Sequence, residues 1–345
     1  MRIFSGIQPT GTKHLGNYIG AIRQYVAGQE RGEALFCIVD LHAITVAYDP
    51  ADLRRSLYDL TALLLASGLD PARCMLFRQS DVLEHTELTW LLSSVTAFGD
   101  LQRMHQFKDK SATQRELVSA GLFFYPVLMA ADVLAYGATD VPVGDDQRQH
   151  VELMRDIAIR FNARFAGGEE VLVVPDHCIP EVGARIMDLQ EPTRKMSTTG
   201  GSESGTVYVL DESDAIVKKF RSAVTDSGRE IARSPEKPGV SNLIEILAVA
   251  RGVTPEQVQA DMRDARGYGD LKTATAEAVV EMLAPVRERY VQLRAEEPAL
   301  EAVLAAGAER ARAIAAETLA DVRECMGVGH PKRVSAGPES VSTPS

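Results

Sequence analysis

Short strand-like segments, each followed by a helical pattern, fill the first half of this chain and then stop. Residues 3–7, 34–39, 75–78, 140–143 and 171–174 read as strands. Between them apolar residues recur at helical spacing. Leu15, Ile19, Ile22 and Val26, at i, i+4, i+7 and i+11, form one such stripe. Strands alternating with helices predict a parallel sheet with both faces covered. A ligand of such a sheet sits beyond the carboxyl ends of the strands, where residues 6–16 and 144–147 fall. After Asp211 no strand pattern returns. Residues 213–223, 241–250, 254–263, 271–294 and 299–326 read as helices, the last with Leu304, Ala308, Ala311, Ala315, Leu319 and Val322 along one side. The expected fold is α/β: a Rossmann-like parallel sheet, then an all-α domain.

Bulk properties narrow the class. A chain of 345 residues is long enough for about two domains. Hydrophobic content of 45% and charged content of 25% are those of a soluble globular protein. The net charge of −11 argues against DNA or other nucleic acid held by bulk charge, but not against a local basic patch. Cys37, Cys74, Cys178 and Cys325 form no C-x-x-C pair. They read as reduced thiols of a cytoplasmic protein, with no zinc or iron–sulfur framework. The strand pattern starts directly after Met1, so no signal peptide is expected. Residues 117–136 are apolar enough to raise a membrane question. Pro126 and Asp132 interrupt them, and a carboxylate is costly in a bilayer, so a buried core helix is expected.

Two distant segments suit the handling of phosphate. Lys13-His14-Leu15-Gly16-Asn17 joins the first strand to a helix, and a helix start presents backbone N–H groups to an anion. Lys195-Met196-Ser197-Thr198-Thr199 precedes a run of Gly and Ser, from which a lysine can swing toward an anion. Together they suggest one nucleoside triphosphate between a rigid helix end and a mobile basic loop. Gly6 and Gly11 begin a P-loop pattern, but the lysine falls one place late and His14 follows it. The glycine spacing also fails the dinucleotide fingerprint G-x-G-x-x-G. An ordinary turn and a solvated lysine explain either segment taken alone.

Two further groups admit more than one reading. In Val141-Pro142-Val143-Gly144-Asp145-Asp146-Gln147 a strand ends in glycine, then two carboxylates and an amide. Asp146 suits ribose hydroxyls, Asp145 or Asp146 suits a helix N-cap, and the pair suits magnesium. Tyr125, Met129 and Asp132 share one helix face at i, i+4 and i+7. Such a stripe is either core or a pocket with an aromatic and a thioether wall. Indole, flat and apolar with one N–H that only donates, would suit a carboxylate at the base of that pocket.

Taken in order, these blocks resemble the bacterial tryptophanyl-tRNA synthetases, which are class I aminoacyl-tRNA synthetases. Ser5-Gly6-Ile7-Gln8-Pro9-Thr10-Gly11 resembles the family's opening, and His14 to Asn17 its HIGH signature. Asp40-Leu41-His42-Ala43-Ile44-Thr45, Met129-Ala130-Ala131-Asp132 and Val143-Gly144-Asp145-Asp146-Gln147 match further blocks. Gly183-Ala184-Arg185-Ile186-Met187 leads to Lys195–Thr199, which corresponds to KMSKS, and Ser222-Ala223-Val224-Thr225-Asp226-Ser227 carries the match onward. The resemblance implies that L-tryptophan and ATP give tryptophanyl-adenylate, and that the tryptophanyl group passes to tRNA(Trp). It implies Mg2+ travelling with ATP, no tightly bound cofactor and no dedicated metal site, a homodimer and no membrane.

For ATP the resemblance assigns Gln8, Pro9, Thr10, Gly16, Asn17, Gly144, Asp145, Asp146, Gln147, Ile186, Lys195, Met196, Ser197, Thr198 and Thr199, with His14 by the phosphates. For tryptophan it assigns Phe4, Ser5, Gly6, His42, Gln106, Tyr125, Met129, Asp132, Val141 and Val143. Residues 1–190 are expected to form the catalytic domain with inserted helices, 191–327 the signature loop and a helical anticodon-binding domain, and 328–345 a disordered tail. One departure stands out. Thr198 occupies the place of the family's second signature lysine, and Thr199 replaces the final serine. Lys195 must then carry more of the charge, with help from outside the signature. Lys110 is the favoured helper; Arg194 and Lys13 rank lower because each is expected to point to solvent.

Overall fold

The computed structural model describes residues 1–104, 118–142, 147–178, 185–197 and 201–330. Its first half contains β1 (Arg2–Ile7), α1 (Leu15–Asn17), α2 (Arg23–Gly28), β2 (Glu33–Ile38), α3 (Asp40–Ala43), α4 (Pro50–Ala66) and β3 (Cys74–Arg78). There follow α5 (Glu84–Leu92), α6 (Phe98–Arg103), α7 (Ala120–Leu134), β4 (Asp140–Pro142), α8 (Arg148–Phe165) and β5 (Asp176–Cys178). The remainder is helical: α9 (Ser213–Arg221), α10 (Pro238–Arg251), α11 (Pro255–Asp261), α12 (Tyr268–Arg294) and α13 (Glu297–Met326).

The chain forms two compact units, each built from separate stretches of sequence. The first takes residues 1–4, 79–178 and the chain from Ala308 on; the second takes 5–78 and 179–307. Strand β1 runs through both. The strand order is β3-β2-β1 in the second unit and β1-β4-β5 in the first. β2 lies parallel to β3, with Ala34 opposite Cys74 and Ile38 opposite Arg78. Ile3 pairs in parallel with Asp140, and Asp140 with Asp176. Leu35 to Ile38 and Cys74 to Phe77 are buried without alternation, as in strands covered on both faces. In the second unit α12 packs against α4, α9 and α10; in the first, α7 packs against α5 and α8.

The strand expected at 171–174 is not one. There the Asn162 side chain takes the place of a ladder partner: its Nδ2 donates to the Leu172 carbonyl at 2.8 Å and its Oδ1 accepts the Leu172 N–H at 2.9 Å. The edge strand forms only beyond Pro175, as β5. The helix expected over 15–26 is split by a π-helical turn at Tyr18–Ile22. The wider turn leaves Leu15, Ile19 and Ile22 buried but swings Val26 half out. The helices from α9 onward follow the apolar periodicity, and all six residues of the α13 stripe are buried. Gly307 of α13 lies against β3, where an added Cβ would stand 2.0 Å from the Leu76 carbonyl oxygen. Within the apolar stretch, α7 is a 15-residue helix. No helix of the described residues is long and apolar enough to cross a membrane.

Candidate active site

In the second unit, the loop after β1 turns at Gly11, whose φ of 67° lies in the left-handed region. It ends at His14, the N-cap of α1. His14 Nδ1 accepts the Asn17 N–H at 3.3 Å, and Asn17 Oδ1 accepts the His14 N–H at 3.1 Å. This reciprocal cap fixes the tautomer: with Nδ1 accepting, the proton sits on Nε2, which becomes a donor. His14 is buried, and its pKa is lowered to about 4 by that burial and by the nearby cations Lys195 and Lys13. Gly16 leaves room for the ring, since a Cβ there would lie 3.0 Å from its Cε1 and Nδ1 and 3.6 Å from Ile186 Cβ. The Leu15 N–H is already given to the Val207 carbonyl at 2.8 Å. Thus two of the amides expected to face an anion are spent inside the protein.

Lys13 does not point to solvent as expected. Its Nζ donates to the carbonyls of Gln8 and Thr10, both at 2.9 Å, and burial lowers its pKa to about 8. Arg194 is exposed, 3.8 Å from Glu191. Lys110 lies outside the described residues.

Lys195 pairs through its backbone with Met187. The flanking bonds are Met196 N–H to the Ile186 carbonyl at 3.0 Å and Asp188 N–H to the Arg194 carbonyl at 2.8 Å. This ladder buries Ile186 and Met196 and leaves the Lys195 ammonium exposed, with no hydrogen bond among the described residues. Asp188, itself buried, closes the turn: its Oδ1 accepts the N–H groups of Gln190 and Glu191 at 2.7 and 3.0 Å. The far end of the loop returns beside it. The Leu189 N–H bonds the Gly205 carbonyl at 2.9 Å, and Thr206 Oγ1 donates to the Ser197 carbonyl at 3.2 Å. Gly205 is there for lack of space: a Cβ would stand 2.0 Å from Asp188 Oδ1. Beyond it, the Val209 N–H bonds the Lys13 carbonyl at 3.0 Å. The segment that follows the signature loop therefore braces the one that carries His14. Elsewhere in this unit His42 is buried, and Ser5 Oγ is buried without a hydrogen-bond partner among the described residues.

The first unit holds the aromatic stripe. Tyr125 and Asp132 are buried and Met129 half-buried on α7, and Phe4 and Val141 are buried in the same unit. Phe4 stacks on Tyr136 with centroids 5.6 Å apart. Asp132 Oδ1 accepts from Gln79 Nε2 at 2.7 Å and meets His85 Nδ1 at 2.9 Å. The Tyr125 hydroxyl lies 2.8 Å from His150 Nε2, and burial raises its pKa to about 12. The stripe is thus neither plain core nor an isolated acceptor, but a carboxylate already set in a polar network.

The family model for class I tRNA synthetases specific for W and Y matches residues 1–284. The chain belongs to this family. It is 49% identical over 332 residues to tryptophan--tRNA ligase 1 of Streptomyces coelicolor, covering 95% of this chain and 97% of that one. Tryptophanyl-tRNA synthetase from Mycoplasma pneumoniae superposes with a TM-score of 0.86 at 37% identity, over 95% of this chain and 98% of that one. The Campylobacter jejuni enzyme, solved with ADP and tryptophan, gives 0.81 at 35% identity, over 95% and 100%.

Each unit gathers its own share of the expected residues. Gln8 to Thr10, His14 to Asn17, Ile186 and Lys195 to Ser197 lie in the second; Tyr125, Met129, Asp132, Val141 and Gln147 in the first. Gln106, Val143, Gly144, Asp145, Asp146, Thr198 and Thr199 lie outside the described residues. The N-cap of α8 is Gln147, without a side-chain cap bond; the expected cap residues Asp145 and Asp146 lie outside the described residues. Sequence reasoning passed over Gln79, His85 and His150, which hold Asp132 and Tyr125, and over Asp188. Only its spacing before the signature lysine could have drawn attention to Asp188.

Proposed function

We propose that the protein is a tryptophan--tRNA ligase. It joins L-tryptophan to AMP at the expense of ATP, then passes the tryptophanyl group to tRNA(Trp). The observation that carries the reading is the end-to-end similarity to relatives named for tryptophan. In the first step a carboxylate oxygen of tryptophan attacks the α-phosphorus, the new C–O–P linkage forms and pyrophosphate leaves. The attacking group is already an anion, so no protein base is needed. Catalysis reduces to alignment and to neutralising charge on the phosphates.

Neutral His14, holding its proton on Nε2, donates to a phosphate oxygen. Lys195, exposed and without a hydrogen bond among the described residues, follows the departing pyrophosphate. Mg2+ arrives with ATP, held mainly by phosphates and water. Asp132 accepts the indole N–H, against the wall formed by Tyr125 and Met129. Residues 191–327 carry the anticodon-reading function, and the work is cytoplasmic. A homodimer face lies between residues 81 and 136, where Leu83, Trp90 and Phe98 are 64%, 74% and 69% exposed and too apolar to be left in water. Sedimentation at micromolar concentration should give twice 37.5 kDa; a monomer alone would refute the dimer. The enzymatic reading is tested by charging unfractionated tRNA with labelled tryptophan or tyrosine. Tryptophan alone should be attached; attachment of tyrosine in its place would overturn it.

A further inference from the structure

The signature loop has lost one lysine, at Thr198, and the amides of Leu15 and Asn17 are already bonded within the protein. The phosphates of a nucleoside triphosphate then lack donors that the segment after β1 was expected to supply. Lys13 stands where they are missing. Its ammonium is drawn back over the loop onto the carbonyls of Gln8 and Thr10, which satisfy two of its three N–H groups. No carboxylate pairs with it among the described residues. The backbone holds it from the other side, through the Val209 N–H. A half-buried ammonium that meets only carbonyl oxygens is short of a counter-ion. Lys195 approaches the same imidazole, since both cations act on His14.

We infer that Lys13 is a second phosphate-binding cation of the ATP site, with its remaining N–H directed to a phosphate oxygen and its charge replacing that lost at Thr198. This rests on the ATP-dependent activation proposed above. A loop staple, the simpler role, would need the donor but not the charge.

The charge has a signature of its own. Burial lowers the Lys13 pKa to about 8, so the free enzyme loses this cation as the pH rises through 8. Among the described residues, the titratable groups around it are His14, held neutral, and Lys195 on the neighbouring ladder. On the segment paired to it, Asp211 is tied to the Tyr208 N–H and to Lys219.

The test compares wild type, Lys13→Gln and Lys13→Arg by tryptophan-dependent pyrophosphate exchange between pH 7 and 9.5. Glutamine keeps an N–H donor for the two carbonyls and removes the charge. It should lower kcat/KM for ATP by about ten- to a hundredfold, the effect of one charged hydrogen bond. KM for tryptophan should stay within about twofold. Wild type should lose kcat/KM for ATP above pH 8, Lys13→Gln should show no such limb, and Lys13→Arg should move it beyond the range. Full activity of Lys13→Gln with the limb retained would make Lys13 a staple and overturn the inference. If Lys13→Gln fails to fold, the limb of Lys13→Arg decides alone. If wild type shows no exchange with tryptophan, the substrate reading has failed, and ATP binding by calorimetry still tests Lys13: tighter or equal binding by Lys13→Gln refutes it.

Discussion

Replacing Asp132 should separate its two roles only if the replacement keeps its shape. The carboxylate is 2% exposed, takes a hydrogen bond from Gln79 and lies 2.9 Å from His85 Nδ1. Asp132→Ala removes the oxygen that both side chains face. A hydrogen bond to a buried charge is worth about 1.5–3 kcal/mol, a sizeable part of a typical folding free energy. A weak alanine variant would then report damage to the fold, not to the tryptophan site. Asp132→Asn is the sharper change. Its Oδ1 still serves Gln79 and His85, while the second position becomes an N–H that opposes the indole N–H. KM for tryptophan should rise about ten- to a hundredfold, with KM for ATP and the unfolding midpoint nearly unchanged. A tryptophan analogue with sulfur in place of the indole N–H closes the cycle. It should be poor with wild type and lose little more with Asp132→Asn, because both changes remove one interaction. A folded Asp132→Asn protein with wild-type KM for tryptophan would refute the assignment.

Three further outcomes follow from the packing and the charges. Gly205→Ala should lower the adenylation rate by tenfold or more, because its Cβ would meet Asp188 at 2.0 Å and overpacking of this kind costs about 1–3 kcal/mol; single-turnover kinetics at wild-type rate would count against the loop lock. Gly307→Ala in mid-helix would ordinarily stabilise by about 0.5–1 kcal/mol. Here the 2.0 Å approach to the Leu76 carbonyl should reverse the sign, and a raised unfolding midpoint in denaturant would contradict that contact. His14 has a folded pKa of about 4 against about 6.5 when unfolded. The unfolded chain therefore binds more protons between these values. Stability is full above pH 6.5 and falls as the pH drops toward 4, and His14→Gln should lose less over that window than wild type. Equal losses in the two proteins would show that His14 does not titrate in this way.

The alternation of strands and helices was legible because β2 and β3 are buried on both faces and read as unbroken apolar runs. The helices from α9 on were legible from their 3.6-residue period. What escaped was decided by side chains distant in sequence. Asn162 displaced the last strand by bonding Leu172, and nothing in 171–174 records that. Asp132 could be placed on a helix face by counting, but Gln79 and His85, which face it, come from the turn after β3 and from α5. The cap at His14 is local, four residues long, and belongs to a recognisable signature. The course of Lys13 is also local, yet periodicity says nothing of a side chain folded back onto carbonyls. The π-helical turn at Tyr18 leaves no compositional mark at all.

The measurement closest to the central claim is amino-acid-dependent exchange of labelled pyrophosphate into ATP by the purified wild-type protein. L-tryptophan should support saturable exchange that requires Mg2+, and L-tyrosine should support at least about a hundredfold less, since a site built around a buried acceptor rejects a misplaced donor strongly. Exchange with tyrosine at a comparable rate, or none with tryptophan, would contradict the account.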